Sequence, residues 1–165
     1  DHPETAYSRR FVTGSADLAS IQHEIWDHNN LGNAIPGATP RARIEVRSLL
    51  PSLPLITPRR RSLTLKTRVQ NLSARPFPAT ATYGRRLVRI GAQLCSADGR
   101  LLNLDFARAD LPHHLAPGDT ADVIVRLPAL EEPGHYQIKL DLVNEGVDWF
   151  ERCGSPTTTR PLWVV

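Results

Sequence analysis

From Pro40 onward, apolar and polar side chains alternate with a period of two, the mark of strands with one wet and one dry face. Ala42, Ile44 and Val46 alternate with Arg43, Glu45 and Arg47. After an interruption from Pro51 to Arg61, rich in proline and arginine, Leu63, Leu65, Thr67 and Val69 alternate with Thr64, Lys66, Arg68 and Gln70. This run stops at Asn71, and a polar, proline-bearing loop extends from Leu72 to Pro78. A third run places Val88, Ile90, Ala92 and Leu94 inward and Arg89, Gly91, Gln93 and Cys95 outward. It ends at Ala97-Asp98-Gly99, where Asp-Gly signals a turn. Leu101 to Phe106 predicts a shorter apolar strand. Past the turn at Leu115 to Asp119, the residues Ala121, Val123, Val125 and Leu127 face in. Glu132-Pro133-Gly134 then turns the chain into Tyr136, Ile138, Leu140 and Leu142. Val147 to Arg152 predicts an antiparallel return, and Pro161 to Val165 closes the chain.

The first 40 residues follow a different period. Leu18, Ile21 and Ile25, with Trp26 beside them, have helical spacing between a Ser15 N-cap and a stop at Asn29 to Gly32. Two prolines and a glycine from Ala34 to Pro40 make a linker. The expected division is a helical segment and linker over 1–40 and a β-sandwich over 41–165. About seven short strands with no helices between them exclude a parallel α/β sheet, which needs crossover helices. The expected fold is all-β, an immunoglobulin-like or jelly-roll antiparallel sandwich with a short N-terminal helix. Pro133-Gly134-His135-Tyr136 fits a tyrosine corner, in which the hydroxyl returns to the backbone just upstream.

Length and composition narrow the picture further. At 165 residues and 41% hydrophobic content the chain holds one domain's core. It has no Met and begins on the polar run from Asp1, which implies a piece of a longer protein. No apolar run nears the roughly 20 residues that span a bilayer, so a soluble domain without a membrane span is expected. A net charge of +3 is too small to imply nucleic acid without a concentrated patch. Cys95 and Cys153 form neither a disulfide framework nor a metal pattern, and a reducing cytoplasm, at or near the inner face of the membrane, is the expected setting. A Cys95–Cys153 bridge is left open by composition, but the strand reading puts another strand between the two.

The run from Asp141 to Gly154, DLVNEGVDWFERCG, resembles the closing hairpin of β-sandwich domains appended to bacterial glycosyltransferases and methyltransferases of polysaccharide biosynthesis. The segments 65–78, 88–100, 111–119 and 130–143 fit the same pattern in the same order. More loosely, the chain is similar to the glycan-gripping C-terminal sandwich of O-antigen ABC transporters. The resemblance implies a non-catalytic carbohydrate-binding accessory module, with an O-antigen-like or other surface polysaccharide and a parent catalytic domain as partners. The chain departs from the pattern at Phe77, where the family often has Trp, and at Gln93-Leu94, which replaces an aromatic-bearing pair.

The candidate ligand-binding residues are Tyr83, Arg85, Glu145, Asp148 and Trp149. Sugars present hydroxyl donors at the rim and C–H groups on a face, so Glu145 and Asp148 beside the Trp149 indole are apt partners. The alternative for Trp149 is core. Tyr83 with Arg85 and Arg86 could hold an acidic sugar or a phosphate through charge-assisted hydrogen bonds, or form a solvated loop. Arg59-Arg60-Arg61 lacks the interleaved aromatics of a nucleic-acid surface and reads as solvated, with the parent domain or anionic head groups as a second choice. His23 with Asp27 and Glu24 with His28 make two carboxylate–His pairs four apart on the helix. His23 and His28 sit on different helical faces, however, and with His113-His114 they read as surface histidines rather than metal ligands. No nucleophile, phosphate-loop, dinucleotide or zinc-protease motif occurs, so no catalysis and no cofactor are expected. Asn71-Leu72-Ser73 matches a glycosylation acceptor, without consequence where no secretory signal is seen. The competing function is structural: a docking or homodimerisation module pairing through an exposed strand.

Overall fold

The computed structural model describes residues 39–48, 51–81 and 87–165. The helix expected from Ser15 to Asn30, with its histidines, lies outside the described residues, as do Tyr83 and Arg85. Among the described residues nine strands follow in order: β1 (Ala42–Val46), β2 (Leu55–Thr57), β3 (Leu63–Asn71), β4 (Val88–Ser96), β5 (Leu101–Asp110), β6 (Thr120–Leu127), β7 (Gly134–Asn144), β8 (Asp148–Trp149) and β9 (Thr158–Val164). They form two sheets, β1-β3-β6 and β2-β9-β7-β4-β5, with β8 paired to β7. All pairings are antiparallel except β2 on β9. Strands one, three and six in one layer against nine, seven, four and five in the other is an immunoglobulin-like order.

The alternation seen in the sequence is the cause of this layering. Each residue of β6 switches between exposed and buried in turn, and Val69, Ile90, Val125 and Leu140 all lie fully enclosed between the sheets. Tyr136 Oη donates to the Glu132 carbonyl at 3.1 Å, which is the expected tyrosine corner. Between β3 and β4 the loop is organised by Asn71, whose fully buried Nδ2 donates to the carbonyls of Arg75 (2.6 Å) and Leu115 (2.9 Å). Its Oδ1 accepts the Ser73 N–H at 2.8 Å. The amide of the sequon is thus consumed inside the fold.

Four expectations need correction. Gly91, Gln93 and Cys95, expected on the wet face of β4, are buried, because the chain after β7 folds back over that face. The expected return strand from Val147 to Arg152 is only two residues of β8, followed by a 3-10 helical turn at Phe150–Cys153 that ends on left-handed Gly154. β5 runs on to Asp110 rather than ending at Phe106, and it lies at the sheet edge with Leu101, Leu102 and Leu104 exposed. β2 was hidden inside the proline and arginine interruption. Both cysteines are free thiols.

Candidate functional site

The segment from Glu145 to Cys153 lies across the outer face of β4 and β7. Its central anchor is Trp149, 5% exposed, whose ring occupies the space a side chain at Gly91 would fill: a Cβ there would sit 2.5 Å from Trp149 Cη2. The Arg108 guanidinium lies over the indole, 4.4 Å from the ring centre, a cation–π contact. Trp149 is therefore packed between strand and arginine. Of the two readings the sequence left for Trp149, core or sugar platform, its burial matches core.

Glu145 and Asp148 are likewise engaged. Glu145 Oε1 accepts from Arg108 Nε at 3.2 Å and lies 3.7 Å from Arg89 Nη1, while Arg89 Nε reaches Asp110 at 2.7 Å. Arg108 also pairs with Asp105. Asp148 Oδ1 accepts the Trp149 N–H at 2.8 Å and Arg152 Nε at 3.1 Å. The cleft lined by Pro40, Asn144, Val147, Asp148, Trp149, Phe150 and Cys153 has room for about one water molecule, too little for a sugar ring. Glu145 N–H donates to the Leu87 carbonyl at 2.9 Å.

A polar cluster fastens the far end of this cover. Glu151 accepts from Gln93 Nε2 and Lys139 Nζ, both at 2.7 Å. Burial works to raise its pKa, but the hydrogen bonds from Lys139 and Gln93 hold it below the usual glutamate value. Asp141 beneath it accepts the N–H groups of Leu142 and Glu151, each at 2.8 Å. Burial pushes the Asp141 carboxyl up to about 7 in spite of those donors, and burial also pushes the Cys153 thiol up to about 11.

Asp141 makes stability depend on pH. Unfolded aspartate titrates near 4, so between about pH 4 and 7 the folded state binds a proton that the unfolded chain does not. Stability from this group is therefore greatest below that window and falls as pH rises through it. Glu151, with its lowered pKa, has given its full contribution by about pH 5.5. Urea unfolding at pH 5.5 and pH 8 is expected to show a loss on the order of 2 kcal/mol, and Asp141→Asn is expected to flatten the profile.

Sequence reasoning missed an aromatic surface elsewhere on the same sheet. Trp163 of β9 is 40% exposed and stacks on exposed His135 of β7, ring centres 4.9 Å apart at 24°. Ile56 of β2 stands in the same register row on the other side of Trp163 and is exposed. The outward position of Trp163 was legible, since Leu162 and Val164 alternate with it. Among the described residues no three His, Cys, Asp or Glu side chains cluster as for a metal, and no helix is long and apolar enough to cross a membrane. Phe77 and Gln93-Leu94, where the chain departs from the resembled pattern, are all buried.

No family model matches the chain, and no curated protein matches it in sequence. Solved structures do resemble it. The CARDB domain of a Pyrococcus furiosus protein, in its solution structure, is 14% identical over 77% of this chain and 96% of that one, TM-score 0.47. A family 123 glycoside hydrolase from Clostridium perfringens is 12% identical over 77% of this chain and 27% of its own, TM-score 0.42. A β-glucosidase from Listeria innocua in complex with glucose is 14% identical over 76% of this chain and 17% of its own, TM-score 0.41.

Proposed function

We propose that this domain is a non-catalytic, cytoplasmic glycan-binding accessory module of a bacterial surface-polysaccharide biosynthesis or export protein. The single observation that carries the reading is the exposed Trp163–His135 stack on the outer face of β9 and β7. Flat apolar faces at a wet surface suit the C–H faces of sugar rings. Further along that face stand Pro161 and Gln137, then Thr159 and Lys139; Gln137 Nε2 donates to the Ala97 carbonyl and Lys139 Nζ to Glu151, while Thr159 is exposed. The resemblance of the closing hairpin to polysaccharide-enzyme appendages points to the same class of ligand. Glu145 and Asp148 remain a second candidate rim on this sheet, and the sequence candidates Tyr83 and Arg85 lie outside the described residues.

The test is an NMR titration of the domain with oligosaccharides of the host's own surface polysaccharide. Shifts are expected at Ile56, His135, Gln137 and Trp163, and Trp163→Ala is expected to weaken binding about tenfold or more. Shifts gathered instead at Glu145 and Asp148 would move the site to the hairpin. Silence at millimolar sugar would remove the proposal. The structural alternative, a docking or dimerisation module, is favoured by one observation: β5 is a ten-residue edge strand exposing Leu101, Leu102 and Leu104. Sugar-independent dimerisation in sedimentation equilibrium, with silent sugar spectra, would support that alternative.

A further inference from the structure

The outer face of the smaller sheet differs in kind from that of the larger one. β1 turns Arg43 outward and is followed by exposed Arg47, whose N–H still donates to the Lys66 carbonyl at 2.7 Å; β3 turns out Lys66 and Arg68, and β6 turns out Arg126. Against these five cations stand Glu45 and Asp122, on the same face. The surplus of three is as large as the formal net charge of the whole chain, +3. The sheet register explains where the two carboxylates act: Glu45, Arg68 and Asp122 stand side by side across the three strands. Arg68 grips Asp122 through Nε at 2.8 Å and Nη2 at 3.1 Å. Asp122 is thus spent on Arg68, with Glu45 beside the same arginine in register. Arg47, Lys66 and Arg126 make no ion pair among the described residues, and Arg43 reaches only the Gln70 side chain, at 3.4 Å.

We propose that this face of β1, β3 and β6 docks on an anionic lipid bilayer. Its shape selects the partner. Three strands are about 10 Å across and the four-residue step from Arg43 to Arg47 about 13 Å, so the charges form a two-dimensional array without a groove. A planar array of cations fits a planar array of phosphates, whereas a linear polyanion is held by a linear track. No aromatic residue stands on these outward positions, which leaves nothing for nucleic-acid bases to stack on. Ile124, 49% exposed and opposite Lys66, is the one aliphatic side chain there and can enter the head-group layer. The aromatic face proposed for glycan lies on the other sheet, so the two surfaces act independently and either can fail alone.

Each basic residue near an anionic membrane surface contributes about fivefold in affinity, and a surplus of three gives roughly a hundredfold preference over a neutral surface. Cosedimentation with vesicles of neutral phosphatidylcholine, and of the same lipid with about 30% phosphatidylglycerol, reads this directly. Binding to the anionic vesicles alone is expected at about 0.1 M salt, and its loss at about 0.5 M, where exposed charges are screened. The double variant Lys66→Glu and Arg126→Glu is expected to lose at least tenfold, with an unchanged melting temperature certifying its fold. Arg100→Glu, in the turn between β4 and β5, is expected to bind as the parent does. No binding to anionic vesicles, binding undiminished in the double variant, or capture of duplex DNA with vesicles left unbound would each overturn the proposal.

Discussion

Truncating Phe150 to alanine is expected to destabilise the domain by about 3–5 kcal/mol, the cost of removing a large ring from a filled interior. Phe150 opens the 3-10 turn and is fully buried. Its ring meets Phe77 edge to face, with centres 5.2 Å apart at 75°. The pair joins two separate pieces of chain: the loop organised by Asn71, and the cover over β4. Urea unfolding should therefore show a lower midpoint at unchanged slope. A double-mutant cycle with Phe77→Ala should return a coupling of about 0.5–1.5 kcal/mol for the ring geometry itself. A loss below about 1 kcal/mol would mean that the cover is not packed as described.

The second large effect is expected from adding a single methyl group. In Gly91→Ala the new Cβ would lie 2.5 and 2.6 Å from Trp149 Cη2 and Cζ3, and 2.8 Å from Arg108 Nη1. Arg108 is a flexible side chain and can retreat, but the indole is rigid and hemmed in by the strand. Overpacking of this kind costs about 1–3 kcal/mol. Relief by lifting the cover would expose Trp149 and shift its fluorescence to longer wavelength. The cause can be isolated by repeating the substitution in a Trp149→Ala background, where the clash is gone and the added cost should fall below about 0.5 kcal/mol. An equal cost in both backgrounds would place the strain in the backbone of β4 instead.

The layered fold was legible because most strands are wet on one side. β3 and β6 lie against the core with their other face in solvent, so the period of two appears undisturbed in Leu65 to Val69 and Ala121 to Leu127. The outer face of β4 was not legible in the same way, because the cover over it is made by a segment 58 residues further along, as Gln93 meets Glu151. Gly91 did carry a signal: a glycine in a strand marks the close approach of something else, here an indole. Read that way, it would have assigned one tryptophan to the interior. Trp149 and Trp163 are the same chemistry with opposite fates, decided by a missing side chain on a distant strand. β2 escaped notice because three residues in parallel pairing are too few to establish a period.

The enclosed amide of Asn71 has a practical consequence for making this domain. Oligosaccharide added at Asn-x-Ser attaches through the side-chain nitrogen, the atom that here donates to two carbonyls within the interior. A chain routed through a eukaryotic secretory host could be modified at Asn71 only before that loop closes, and the adduct would then keep it from closing. Secreted preparations would accumulate as unmodified native material or as modified chains that fail quality control, with no glycosylated native species between them.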